Sequence, residues 1–200
     1  SNNLSPVVTL VAHSEGTSVT FETAASEFNA LAVQADDGVV VKVAITTDTG
    51  GMYLDGDKED NSGGVDDVNT VGFTDGLIVT AKTVLTLEAT TGSIVPAGAL
   101  TLKGSTGIVI LDHMTSAATN EPVVINADYD NAGDGTLTLW TTKTITTNDS
   151  DLTITAWDID VQASAGITAG TKNILITGAQ DAQTIGLGTT TGNMHIENTE

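Results

Sequence analysis

Short runs of period-two alternation, broken every few positions by turn formers, are the feature that most constrains this chain. Leu137-Thr-Leu139, Thr144-Ile-Thr146, Leu152-Thr-Ile-Thr-Ala156, Ile159-Asp-Val161 and Ile174-Leu-Ile176 each place aliphatic residues on alternate positions. Gly, Asn, Asp, Ser and Thr fill the gaps. Alternation over a few residues marks a half-buried strand, and these gap residues favour turns. A brief strand, a turn and another brief strand give the rhythm of a parallel β-helix. Its coils, of ~20–25 residues, stack at ~4.8 Å so that each backbone group pairs with the coil above or below. Tandem small β-sandwiches are the alternative all-β architecture. Sandwich domains ordinarily need ~100 residues and strands of about five or six, which fits triplet strands poorly.

The strand motifs also recur at longer range. Val19–Glu22 is echoed by Leu85–Glu88, Leu31–Gly38 by Leu100–Gly107, and Gly38–Val41 by Gly107–Ile110. Met52–Asp57 is echoed by Val123–Asp128, and Leu77–Ala81 by Leu152–Ala156. The order is preserved throughout. A repeat of roughly 70 residues, drifting as loops change length, is a signature of solenoids or tandem domains. The reading is one continuous solenoid over residues 1–200, with copies at 19–84, 85–158 and an incomplete 159–200, and an N-terminal strand or cap at 1–18. The chain opens without Met and its last copy stops partway, as expected of a piece of a longer array. A helix capped by Ser26 could cover Ala24–Leu31, but its place in the repeat points to a loop or cap.

Composition agrees with stacked strands. The chain has 35 Thr and 21 Gly but only 4% aromatic residues, so its core must be aliphatic. Thr is β-branched and suits half-exposed strand positions. Twenty-six acidic residues face six Lys, with no Arg, for a net charge of −20. That excludes nucleic acid and anionic lipid, which need clustered cations. Most of the acids read as a solvated face. With no Cys there is no disulfide framework. No apolar run approaches the ~18 residues of a membrane span, so membrane insertion is not expected.

Three segments carry a family resemblance: Ile125-Asn-Ala-Asp-Tyr-Asp-Asn-Ala-Gly-Asp-Gly-Thr-Leu-Thr-Leu139, Asp151-Leu-Thr-Ile-Thr-Ala-Trp-Asp-Ile-Asp160 and Thr184-Ile-Gly-Leu-Gly-Thr-Thr-Thr-Gly192. With them the chain, mostly over residues 77–200, resembles the repeat regions of giant bacterial surface proteins of the filamentous-haemagglutinin type. The resemblance implies a right-handed parallel β-helix, secretion to the cell surface, and adhesion or matrix building. It brings no catalytic residues.

Two acidic loops are the sharpest local signals. Asp55-Gly-Asp57-Lys-Glu-Asp60-Asn61 and Asp128-Tyr-Asp130-Asn131-Ala-Gly-Asp134-Gly135 fall at matching points of successive copies. Alternating oxygen donors with Gly at the turn suit calcium, which takes six to eight hard oxygens. Asp-Gly turns are also ordinary solvated loops, and neither loop has the closing Glu of an EF-hand. His13, His113 and His195 sit in unlike contexts and read as isolated surface residues. An enzyme is not expected. A polysaccharide lyase wants Arg or Lys as base, and a hydrolase wants a spaced carboxylate pair. Asp158 and Asp160 alternate on one face, as many residues here do. The Thr pairs 136/138, 144/146 and 153/155 could build the flat array of an ice-binding solenoid. Trp140, Trp157, Tyr53 and Tyr129 could stack on sugars if exposed. Asn3-Leu-Ser5 and Asn148-Asp-Ser150 fit a glycosylation sequon. Val7–Val11 and Met194–Glu200 read as bare terminal strands, which predicts head-to-tail self-association along the solenoid axis. The function expected is an extracellular structural or adhesive repeat protein with a glycan or other cell-surface target.

Overall fold

The computed structural model describes residues 6–60 and 68–196. Among these residues the chain forms strands and turns with no helix, wound into seven coils of three strands each. The first coil contains β1 (Val8–Ala12), β2 (Val19–Phe21) and β3 (Ser26–Phe28), and the second β4 (Leu31–Ala35), β5 (Val39–Val41) and β6 (Ile45–Thr47). The third contains β7 (Met52–Asp55), β8 (Val71–Phe73) and β9 (Leu77–Ala81), and the fourth β10 (Val84–Glu88), β11 (Ile94–Pro96) and β12 (Leu100–Gly104). The fifth has β13 (Gly107–Ile110), β14 (Met114–Thr115) and β15 (Val123–Asn126). β16 (Thr136–Leu139), β17 (Thr144–Thr146) and β18 (Leu152–Ala156) make the sixth, and β19 (Asp158–Val161), β20 (Gly166–Thr168) and β21 (Ile174–Gly178) the seventh. β22 (Ile185–Leu187) and β23 (Met194–Ile196) pair with each other, and β23 lies against β19.

Every third strand joins the same sheet, so three parallel seven-stranded sheets form three faces. They are called here the first, second and third face, after β1, β2 and β3. This is a parallel β-helix, as the alternation predicts. The inward positions form mainly aliphatic columns, with Phe21, Phe73 and the buried Thr47 among the exceptions. On the first face Leu31, Met52, Leu85, Ile108, Leu137 and Ile159 stand in register, all buried. On the third, Val79, Leu102, Ile125 and Ile154 do the same. Similar residues fill each level, so an aliphatic side chain meets its counterpart one coil away.

The repeating unit in space is the coil, and its length varies. Within the three sheets the shortest step between register partners runs from Ser26 to Ile45, and the longest from Ile45 to Val79. The longer sequence repeat corresponds to about three coils, but unequal coils throw most of its matches onto different faces. Only Leu77–Ala81 and Leu152–Ala156 land on the same one. Leu31–Ala35 is on the first face while Leu100–Gly104 is on the third, and Val39–Val41 is on the second while Gly107–Ile110 is on the first. Ala24–Leu31 forms β3, a turn and the start of β4.

Many acids do more than face solvent. Asp36 accepts the Gly16 N–H (2.6 Å), Asp57 that of Thr91 (2.6 Å), Asp75 that of Ala99 (2.8 Å) and Asp112 that of Ala89 (3.0 Å). Asp149 takes the Thr171 N–H (2.8 Å) and Asp151 that of Asn173 (3.0 Å). Each bond ties the turn of one coil to another, satisfying amides that the strand ladders leave over at the corners.

Candidate functional sites at the corners

The Asp128 loop fills the corner between β15 on the third face and β16 on the first. Asp128 is fully buried; its Oδ1 accepts the Ala132 N–H (3.0 Å) and its Oδ2 that of Gly133 (2.9 Å). Gly133 has φ 84° and Asn131 φ 56°, so the loop folds back over the carboxylate. At Gly135 a Cβ would come within 2.0 Å of the Ala127 carbonyl oxygen, which accounts for glycine there. Asp130 and Asp134 are exposed and bring carboxylate oxygens within 4.8 Å of each other and of Asp128. Burial pushes the Asp128 carboxyl above its ordinary range; the two N–H bonds oppose this, and the charges of Asp130 and Asp134 add to it. Three such carboxylates can serve a hard cation, although calcium takes six to eight oxygens. Asn131 is exposed, and its backbone carbonyl accepts Gln180 Nε2 (2.7 Å).

The Asp55 loop is built differently. It lies between β7 on the first face and β8 on the second, a different corner from Asp128, so the two loops are not equivalent in space. Asp55 Oδ1 accepts the Asp57 N–H (3.1 Å), while its Oδ2 receives Gln34 Nε2 (3.1 Å) and the Tyr53 hydroxyl (3.2 Å). Asp57 Oδ2 holds the Thr91 N–H, and Asp60 Oδ1 accepts the Thr90 hydroxyl (2.7 Å). Asp55, Asp57 and Asp60 thus turn to separate structural partners, and among the described residues they form no convergent group. Asn61 lies outside the described residues, as does the Asn3 sequon.

A second convergent group, Glu15, Asp36 and Glu59, is not legible as a group in the sequence. The three residues occupy the same corner in the first, second and third coils, each one coil on from the last. That spacing becomes a signal only once the coil length is known.

The remaining candidates separate. His113 Nδ1 is 2.9 Å from Thr144 Oγ1, His195 Nε2 is 2.8 Å from the Gly188 carbonyl, and His13 is exposed. Asp158 accepts the His195 N–H (3.1 Å) while Asp160 points to solvent. The Thr pairs face outward on three different faces: 136/138 on the first, 144/146 on the second, 153/155 on the third. On the third face Thr46, Thr80, Thr155 and Thr177 share a column that Lys103 and Asn126 interrupt. Of the aromatic residues, Trp140 is 46% exposed, whereas Tyr53, Tyr129 and Trp157 are half-buried.

Trp140 borders a groove of about 350 Å³ shared with Glu88, Thr90, Leu111, Asp112 and Lys143. The groove sits between the first and second faces and crosses the coils of β10, β13 and β16. Asp112 is buried and ion-paired with Lys143, its second oxygen holding the Ala89 N–H. The Glu88 carboxyl is pushed above its ordinary range chiefly by burial; the Tyr53 hydroxyl bond opposes this, and the charges of Asp55, Asp112 and Asp60 add to it.

Comparisons with family models, curated proteins and solved structures return no match.

Proposed function

We propose that this chain is an extracellular structural and adhesive rod module that associates head-to-tail along its axis and builds or extends a cell-surface fibre or matrix. One observation carries the reading: the coil stack has unpaired edges among the described residues. At one end β1, β2 and β3 each pair on one side only, and the inward Val8, Leu10, Val19 and Phe28 are only half-buried. At the other end β20 and β21 are likewise paired on one side. There Ile159, Val161, Ile167, Ile174, Ile176 and Ile196 line an open cavity of about 220 Å³. A further coil, from a longer chain or from a second copy seated head-to-tail, would satisfy both the strand edges and this apolar cavity, as the coils satisfy one another. β23 lies against the β19 edge, and its Ile196 forms part of the cavity lining.

The resemblance to filamentous-haemagglutinin repeats supports the surface location, and the acidic exterior supports a soluble, non-nucleic-acid role. The ice-binding alternative needs an unbroken flat array, and Lys103 and Asn126 break the Thr column. The lyase alternative lacks a spare base at the groove, where Lys143 is tied to Asp112.

A net charge of −20 opposes self-association, so assembly should strengthen as salt screens it. Light scattering and electron microscopy across a salt and divalent-cation series test this. Rods that lengthen with ionic strength and show an axial β spacing are expected. A particle that stays monomeric throughout, or assembles through its side faces, would overturn the proposal.

A further inference from the structure

We infer that the Trp140 groove is a binding site for an uncharged pyranose sugar, the contact by which the rod holds a glycan. The inference rests on the adhesive half of the function proposed above.

Trp140 is the large aromatic side chain that this exterior leaves open to solvent, in a chain with only 4% aromatic residues. An indole face offers a rigid apolar platform with little conformational entropy to lose, suited to the flat C–H face of a sugar ring. Around it stand groups suited to sugar hydroxyls. Glu88 and Asp112 are carboxylate acceptors, Lys143 is a donor, and Thr90, whose hydroxyl proton goes to Asp60, offers an acceptor oxygen. Carboxylate–hydroxyl bonds are charge-assisted and strong. The polar groups are already positioned: Asp112 by Lys143 and the Ala89 N–H, Glu88 by the Tyr53 hydroxyl. Little reorganisation is left for binding to drive.

Size and charge narrow the ligand. A groove of about 350 Å³ lies at the lower end of the ~300–1,000 Å³ range for small-molecule sites. It crosses three coils, about 10 Å at ~4.8 Å per step, which is room for one or two sugar rings and too little for a protein interface of ~800 Å² a side. The two carboxylates in the groove and the acidic surface around it repel uronate, sialylated and sulfated glycans.

The test is a panel of neutral oligosaccharides (glucan, mannan, galactan and chitin fragments) titrated against the intact chain, read by tryptophan fluorescence and calorimetry. Saturable binding of at least one member is expected. Trp140→Ala and Thr90→Arg should each weaken it at least about tenfold, while Trp157→Phe leaves it unchanged. Both groove positions are exposed, and Thr90→Arg gives up one surface bond to Asp60, so melting temperatures should show that both variants remain folded. No binding by any neutral member, binding that survives both groove variants, or tighter binding of acidic oligosaccharides would overturn the inference. Rod assembly is measured separately by scattering, so loss of the sugar site leaves that reading standing, and failure to assemble leaves the sugar titration readable.

Discussion

Glu88 on β10 stands directly opposite Asp55 on β7 in the parallel register, and the Tyr53 hydroxyl lies between them, bonded to Glu88 and 3.2 Å from Asp55 Oδ2. Two acids on neighbouring rungs repel, and one hydroxyl proton cannot satisfy both. The Tyr53 hydroxyl is itself held in its protonated form, by burial first and then by these carboxylates.

Replacing Tyr53 by Phe should therefore lower stability by about 1–2 kcal/mol at pH 7, because two partly buried carboxylates lose their shared donor. The loss should shrink as pH falls from 7 toward 4.5, because the folded chain holds the Glu88 proton to higher pH than the unfolded chain does. Denaturant titrations at the two pH values check this; an equal loss at both would separate Tyr53 from Glu88 titration.

Stability should rise as the protein is acidified from pH 7. Glu88 and Asp128 are both raised above their ordinary values of 4.5 and 3.8 in the folded chain. Between those values and the raised ones the folded state binds more protons than the unfolded, so stability falls as pH increases through that window. The penalty is absent below the ordinary values. Asp149 is lowered, mainly by the Thr171 N–H and hydroxyl, and works in the opposite sense, its contribution lost only as pH drops below 3.8. Thermal melts should thus show the melting temperature rising as pH falls from 7 toward 4.5, with a smaller rise in a Glu88→Gln, Asp128→Asn double variant. A melting temperature that falls steadily from pH 7 to 5 would contradict this.

Leu102 lies in the middle of the buried third-face column, between Val79 and Ile125. Leu102→Ala should cost about 2–5 kcal/mol, since neighbouring coils held by strand ladders cannot collapse into the space. Val124→Ala, one position along on the outward side of β15, should cost well under about 1 kcal/mol. Similar losses for the two would mean that the inward and outward assignments are reversed.

Calcium has its best footing at Asp128, Asp130 and Asp134, where repulsion among three carboxylates is concentrated. Millimolar calcium should raise the melting temperature more than sodium chloride of equal ionic strength, and Asp134→Asn should remove the difference. Asp60→Asn should not, because Asp60 is engaged with Thr90. Equal effects of the two salts would leave 128–134 as a turn.

Local pattern marked many of the strands and their inward positions, though not β8, β11, β14 or β20. Leu77–Ala81, Leu100–Leu102, Val123–Ile125, Leu152–Ala156 and Ile174–Ile176, grouped by alternation, do stack as parallel neighbours of the third face. Ile108–Ile110, grouped with them on the same grounds, belongs to the first. Alternation reports burial along one strand, whereas the face is set by the residues accumulated in every turn before it, and those turns vary. The connection between Asp55 and Val71 lengthens one coil and shifts all later motifs. A repeat several coils long is therefore visible in the sequence, while the single coil carries the register. The same cause separates Asp55 from Asp128, brings Glu15 to Asp36 and Glu59, and sets Glu88, Asp112, Trp140 and Lys143 around one groove. Those meetings depend on stacking across coils, a distance of a few ångströms that sequence separation does not encode.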